Sequence, residues 1–348
     1  MSPGIAYALG SAVLFGTSTP LAKTLVGTVS PILLAGLLYA GSGIGLLIAM
    51  AARRLLAGER PPPLSVPVGA EWAWLAAGIF FGGIVAPVLL MQALVVTPAS
   101  TASLLLNLEA VFTALLAWCL FRENVDRRIA LGMLAIVAGG AVLSWHPGGP
   151  GGLSLGSLLV AAACACWALD NNLTRRVATR DAMLIAGLKG LVAGAVNLTL
   201  GWSLGLAWPP LDSATAAAAL GFLGYGVSLV LFVLALRHLG TARTGAYFAV
   251  APFFGAALAI ALQAEPVTWQ LGAAGVLMAL GVWLHLTEHH EHRHVHRAET
   301  HAHPHAHDAH HRHDHPADID EPHEHAHTHE RLVHAHPHYP DTQHRHEH

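Results

Sequence analysis

Charge is scarce over most of this 348-residue chain. Residues 1–286 hold 22 charged side chains, 13 Lys or Arg and 9 Asp or Glu, with three histidines, His146, His238 and His285. A soluble domain averages roughly a quarter charged residues, so this stretch is not an ordinary soluble enzyme. Residues 287–348 lack something else. They carry 17 charged residues and 23 histidines, and have too few large apolar side chains to build a packed core. Cysteine is equally sparse: Cys119, Cys164 and Cys166 sit in apolar runs and form neither a disulfide framework nor a zinc motif. No Gly-x-x-x-x-Gly-Lys-Ser/Thr loop occurs, so the chain does not hydrolyse ATP through that device. No nucleophile–base constellation points to an enzyme, and no catalytic cofactor is called for. Residues 1–22 lack a basic leader and a small-residue cleavage site, and read as a membrane span rather than a signal peptide.

What is present is apolar length. A hydrocarbon core takes about 20 apolar residues per helix. By that rule the sequence predicts ten spans, at 4–24, 31–51, 72–94, 99–120, 128–145, 154–174, 182–205, 214–236, 243–262 and 268–286. Pairs of glycines four apart (Gly41 and Gly45, Gly78 and Gly82, Gly190 and Gly194, Gly201 and Gly205) predict close helix packing. With the N-terminus in the cytoplasm, eleven arginines fall in cytoplasmic loops and only Lys23 lies outside. The positive-inside rule then puts both termini in the cytoplasm, in a cell inner membrane.

The spans also repeat. The stretch Thr101–Trp145 resembles Arg243–His285, with Ala110 opposite Pro252 and Glu123 opposite Glu265. Five spans per half is an odd number, so the halves are inverted, as in many secondary transporters. "LEAVFTALLAWCLFRE" and "VAPFFGAALAIALQAE", with "LFGTSTPLAK" in the first span and "CWALDNNLTRR" in the sixth, resemble the EamA-type drug/metabolite transporter superfamily. The resemblance implies an all-α polytopic membrane protein of ten helices. Residues 1–148 and 149–286 would be its two five-helix repeats, and 287–348 an added, disordered His-rich tail. It also implies a carrier, in a superfamily whose substrates include amino acids, nucleobases, sugars and drugs. Members often have Pro where this chain has Ala110; only Pro252 keeps it, so a symmetric pair of helix breaks is not expected.

An ionisable residue inside a membrane is a functional candidate by default. Glu109 lies near the middle of its span, on a helical stripe with Ala102, Leu106, Thr113 and Ala117. It suits contact with a substrate ammonium group or proton coupling. Asp170 and Lys189, on consecutive antiparallel spans at similar depth, could form an ion pair that acts as an inner gate. Asn107, Asn171 and Tyr247 are the main neutral candidates, followed by Thr17, Ser18, Gln92, Trp167, Tyr225 and Phe248. Glu123 and Glu265, at span ends, read as structural.

In the tail, histidine recurs at alternate positions, as at His301, His303, His305, His307, His323, His325, His327 and His329. Imidazole binds zinc, nickel, cobalt and copper, with affinity falling below about pH 6.5 as protons compete. The expected partners are a lipid bilayer, a small-molecule substrate and divalent metal ions at the tail, with no nucleic acid. Two functions compete. One is export of a small organic metabolite, such as an amino acid or analogue, with the tail as metal regulator or buffer. The other is export of a divalent metal or metal chelate fed by the tail.

Overall fold

The computed structural model describes residues 3–56, 65–121, 127–146, 152–177, 180–286, 291–296, 299–305, 323–329 and 332–337. It divides into two units, Met1–Thr287 and Glu288–His348. The first unit is a succession of apolar helices, because a chain without water to satisfy its backbone must close its hydrogen bonds within each segment.

The first half contains α1 (Pro3–Leu25) and α2 (Pro31–Leu56). A third pass follows: α3 (Glu71–Gly78), a π-helical stretch at Ile79–Val85, and α4 (Ala86–Val96). The fourth pass is α5 (Ala99–Leu105) and α6 (Leu108–Phe121), and the fifth is α7 (Arg127–Ser144). The second half contains α8 (Leu155–Thr174) and α9 (Ala182–Ser203). Its third pass is α10 (Leu211–Gly221), a second π-helical stretch at Phe222–Val227, and the start of α11 (Ser228–Phe248). Then come α12 (Ala251–Gln263) and α13 (Trp269–Leu286). Among the described residues, seven helical segments are long and apolar enough to cross a membrane; Ala251–Gln263 and Trp269–His285 are shorter apolar helices.

Two boundaries differ from the sequence reading. The polar stretch between the expected eighth and ninth spans does not interrupt the helix: α11 runs through it to Phe248. It contains one glycine, Gly240, and no proline, and a single glycine is tolerated inside a helix. The expected continuous helix over 99–120 is instead broken at Leu106–Asn107.

The packing follows the repeat. α2 lies along α9 and α7 along α13, each helix against its own counterpart in the other half. Other contacts match across the repeat. α1 packs against α11 and α12, and α8 correspondingly against α4 and α6. Close approach requires small residues at the α2–α9 crossing. A β-carbon on Gly43 would lie 2.7 Å from the Gly190 carbonyl carbon, and one on Gly190 would lie 2.6 Å from the Gly43 nitrogen. Gly205 does not belong with these packing glycines. Its φ of +66° follows the end of α9, a backbone conformation that glycine adopts at helix C-termini.

The second unit contains β1 (Glu291–His296), β2 (Glu299–His305), β3 (His323–His329) and β4 (Leu332–Pro337). β1 pairs antiparallel with β4, and β2 antiparallel with β3.

Candidate functional site

The break in the fourth pass forms without proline. Asn107, 5% exposed, donates from Nδ2 to the Leu104 carbonyl at 2.9 Å, while Glu109 N reaches back to Leu106 O at 3.0 Å. An asparagine side chain that takes a backbone carbonyl offers the chain an alternative to the helical ladder. The equivalent pass of the second half breaks at Ala249–Val250, with Pro252 in the first turn of α12. Asn107 and Ala249 are 142 residues apart, the spacing of the repeat. Both halves therefore carry a broken helix, contrary to the expectation drawn from Ala110.

This break places Glu109 in the first turn of α6, half-exposed, with Thr113 one turn further on. Asn171 of α8 donates to Glu109 Oε1 at 2.9 Å and lies 3.4 Å from Thr113 Oγ1. Asn172 Nδ2 lies 3.4 Å from Thr113 O and 2.8 Å from Ala168 O. Cys164, also on α8, lies 3.7 Å from the Leu105 carbonyl beside the break. Ala102 lies before the break and Leu106 within it, and both are buried, so the expected stripe continues only along α6, from Glu109 through Thr113.

The second constellation is ionic. Lys189 Nζ lies 2.6 Å from Asp170 Oδ1 and 2.7 Å from Oδ2. Thr174 donates to Asp170 Oδ1 at 2.7 Å and lies 3.1 Å from Lys189 Nζ. This cluster rests on the π-helical stretch of the third pass. A β-carbon at Gly82 would overlap the Asp170 carboxylate, and one at Gly78 would lie 2.7 Å from its Oδ1. The Gly82 carbonyl accepts from Tyr39 Oη at 2.8 Å and from Trp167 Nε1 at 3.0 Å. Such stretches leave carbonyls out of the regular ladder and recur at functional sites.

The other π-helical stretch is its counterpart. Aligning "LFGTSTPLAK" with "CWALDNNLTR" pairs Phe15 with Trp167 and Ser18 with Asp170, 152 residues apart. The spacing of 142 pairs Gly82 with Gly224. A β-carbon at Gly224 would lie 2.7 Å from Ser18 Cβ. Phe15 stacks edge-on to Tyr225 at 5.9 Å between ring centroids. The same contact is thus made twice, once with a serine and once with a lysine-paired aspartate. Asp170 is neutralised by Lys189, whereas the described polar partner of the Glu109 side chain is an amide.

Tyr247 lies next to Phe248 at the end of α11; the described bonds do not join it to Glu109. Phe248 stacks on Phe15 at 5.4 Å and on Phe232 at 5.0 Å. At the opposite end of the helices, Glu265 accepts from Ala99 N at 2.6 Å and Ser100 N at 2.9 Å. There Lys23 donates to the carbonyls of Leu94 and Thr97. These groups border a cavity of about 340 Å³ with Thr101, Pro266 and Thr268. Glu123 lies outside the described residues. Tyr39, Gly82, Cys164 and Thr174 went unsingled by function in the sequence; the register of the repeat was the signal that could have found Gly82.

Of the tail candidates, His301, His303 and His305 stand opposite His327, His325 and His323. His329 stands opposite Glu299, and His307 lies outside the described residues.

Comparison with known proteins agrees with this geometry. A model of the EamA-like transporter family matches residues 2–145 and again residues 154–287. A curated relative from Methanothermobacter thermautotrophicus (strain Delta H), described as an uncharacterized transporter, is 29% identical over 287 residues. That match covers 78% of this chain and 82% of the relative. A solved crystal structure with 22% identity superposes at a TM-score of 0.59, covering 81% of this chain and 95% of the other, and supports the fold.

Proposed function

We propose a specific task for a chain that belongs to the EamA-like transporter family and is therefore a multi-pass membrane transporter rather than an enzyme. It exports a small organic metabolite bearing an ammonium group, an amino acid or analogue, by alternating access. The observation that carries this reading is Glu109, a half-exposed carboxylate in the first turn of a broken helix, held by Asn171 and without a described cationic partner. A carboxylate suits an ammonium group. Broken helices end in backbone amides without intrahelical partners, which suit an anionic group. A zwitterion needs both. The two π-helical stretches, gripped by α1 and α8 in matching fashion, are the flexing points about which one half rocks against the other. Asp170 and Lys189 close the end that carries the arginines, which we assign to the cytoplasm of a cell inner membrane with both termini inside.

A second reading, export of nickel, cobalt or zinc, draws on the histidine tail. Among the described residues no group of three His, Cys, Asp or Glu side chains could hold a metal ion, which favours the organic substrate.

The test uses a transporter-deficient host carrying the full chain, a chain ending at Leu286, or Glu109→Gln. Each is challenged with toxic amino-acid analogues and with nickel, cobalt and zinc. Analogue tolerance that needs Glu109 but not the tail is the expected result. Metal tolerance that follows Glu109 and the tail together would overturn it in favour of metal export.

A further inference from the structure

The transport reading gives no task to the end of the bundle opposite the arginines, yet a lysine and a glutamate meet there. Lys23 is in the last turn of α1, and Glu265 follows the end of α12. Between α12 and Glu265, Ala264 has a φ of +51°. A left-handed alanine is strained, and such strain recurs at functional sites. The turn at Ala264 carries Glu265 across to the start of α5. There Oε1 accepts from Ala99 N at 2.6 Å and Oε2 from Ser100 N at 2.9 Å. Gln263 Nε2 ties the same corner to α1, donating to Pro20 O at 2.8 Å. Lys23 Nζ donates to Leu94 O and, at 3.2 Å, to Thr97 O. Among the described residues, both charges are thus held by backbone groups rather than by each other.

Neither charge is saturated by these bonds. A carboxylate has about four lone-pair sites, shared between its oxygens, and an ammonium has three N–H donors. Each oxygen of Glu265 has used one site, and Lys23 has used two donors. Both side chains can therefore take a further partner without releasing the backbone. They border one cavity of about 340 Å³, together with Thr97, Ser100, Thr101 and Thr268. Small-molecule pockets run from about 300 to 1,000 Å³. A carboxylate and an ammonium fixed in one cavity complement a ligand that carries the same two groups in reverse. Its ammonium suits Glu265 and its carboxylate suits Lys23, each through a charge-assisted bond. A simple amine leaves Lys23 unmatched, and a simple acid leaves Glu265 unmatched. The cavity thus selects zwitterions.

We infer that this cavity is a second substrate site, at the outer end of the pathway, which takes the carboxylate of an amino acid on Lys23 and its ammonium group on Glu265. The inference rests on the transport reading for its ligand and for which end is outside. It gives Glu265 a role beyond the structural one read from the sequence. Its residues lie on α1 and after α12, whereas Glu109 lies on α6, so the two sites separate by mutation.

The experiment uses right-side-out membrane vesicles from the transporter-deficient host carrying the full chain, loaded with a radiolabelled mixture of amino acids. Exchange is followed while unlabelled amino acids, amino-acid amides (no carboxylate) or deaminated acids (no ammonium group) are added outside. The concentrations giving half-maximal exchange are measured on each side. With the unaltered chain, external amino acids should act at concentrations about ten-fold or more below either analogue, the effect of one charge-assisted hydrogen bond. Lys23→Met should erase the preference over the amides, and Glu265→Gln the preference over the deaminated acids. Both should raise the external half-maximal concentration and leave the internal one unchanged, while Lys23→Arg should keep the external value. A merely structural role would not move the two preferences separately. Exchange that needs Glu109 but ignores both substitutions, or an equal rise on both sides, would overturn the inference and leave the transport reading standing. So would an unaltered chain that exchanges amino acids without preferring them to the analogues, a readout that needs no variant to fold. An unaltered chain that exchanges no amino acid would overturn both.

Discussion

The two halves of the bundle share their packing and differ in their charge. Each first helix presses a polar side chain onto a π-helical glycine of the opposite half: Ser18 onto Gly224, and Asp170 onto Gly82. Each fourth helix breaks, one held by Asn107 and the other at Pro252. Yet Glu109 corresponds to Ala251 and Asp170 to Ser18, so both intramembrane carboxylates lie where α8 meets the third and fourth passes of the first half, and neither lies where α1 meets their counterparts in the second. The backbone symmetry supplies a device with two interchangeable states. The charge asymmetry gives those states different affinities, without which a ligand shifts no equilibrium.

The comparison breaks most sharply at Lys189. Lys189→Met strands the Asp170 carboxylate, and removing one partner of a buried pair costs about 3–5 kcal/mol. Thermal unfolding in detergent should show a large drop, largely recovered in Asp170→Asn with Lys189→Met. Ser18→Ala, the matching position, should cost only about 1 kcal/mol, the worth of an ordinary hydrogen bond. If Lys189→Met is as mild as Ser18→Ala, the halves do not differ energetically at this contact.

A smaller effect is expected at the glycines. Over-packing costs about 1–3 kcal/mol. Gly82→Ala should fall at the high end, because Lys189 and Thr174 pin the carboxylate it would strike. Gly224→Ala should cost less. In the Asp170→Ser/Lys189→Met background, which copies the serine of the first half, the Gly82→Ala cost should shrink to that of Gly224→Ala. An unchanged gap would place the difference in the backbone rather than in the charge.

The smallest effects test the two breaks. Asn107→Ala removes the bond to Leu104 O and should cost about 1 kcal/mol. Ala110→Pro makes the first break resemble the second. Proline is tolerated in the first helical turn, so stability should move by no more than about 0.5 kcal/mol, with analogue tolerance kept. A large loss would mean that the break needs the Ala110 backbone N–H.

The passes, the family resemblance and the ionic candidates were legible in the sequence. The Asp170–Lys189 pair was readable because two charges at equal depth on antiparallel neighbours have few other partners. The break at Leu106–Asn107 was not, because its usual signal is proline and here an asparagine side chain does that work. The meeting of Glu109 with Asn171 was equally hidden: the two are 62 residues apart, and only the packing of α8 against α6 joins them.

What the sequence determined by itself is therefore what lipid dictates. Span length, apolarity, the inverted repeat and the separation of a histidine-dense tail are properties of composition and period, since a backbone in hydrocarbon must satisfy itself segment by segment. What only the tertiary structure decided is where those segments depart from the regular helix, and which carboxylate has no cation beside it among the described residues. Both depend on the side chain arriving from the opposite half, and no local stretch of sequence contains that neighbour.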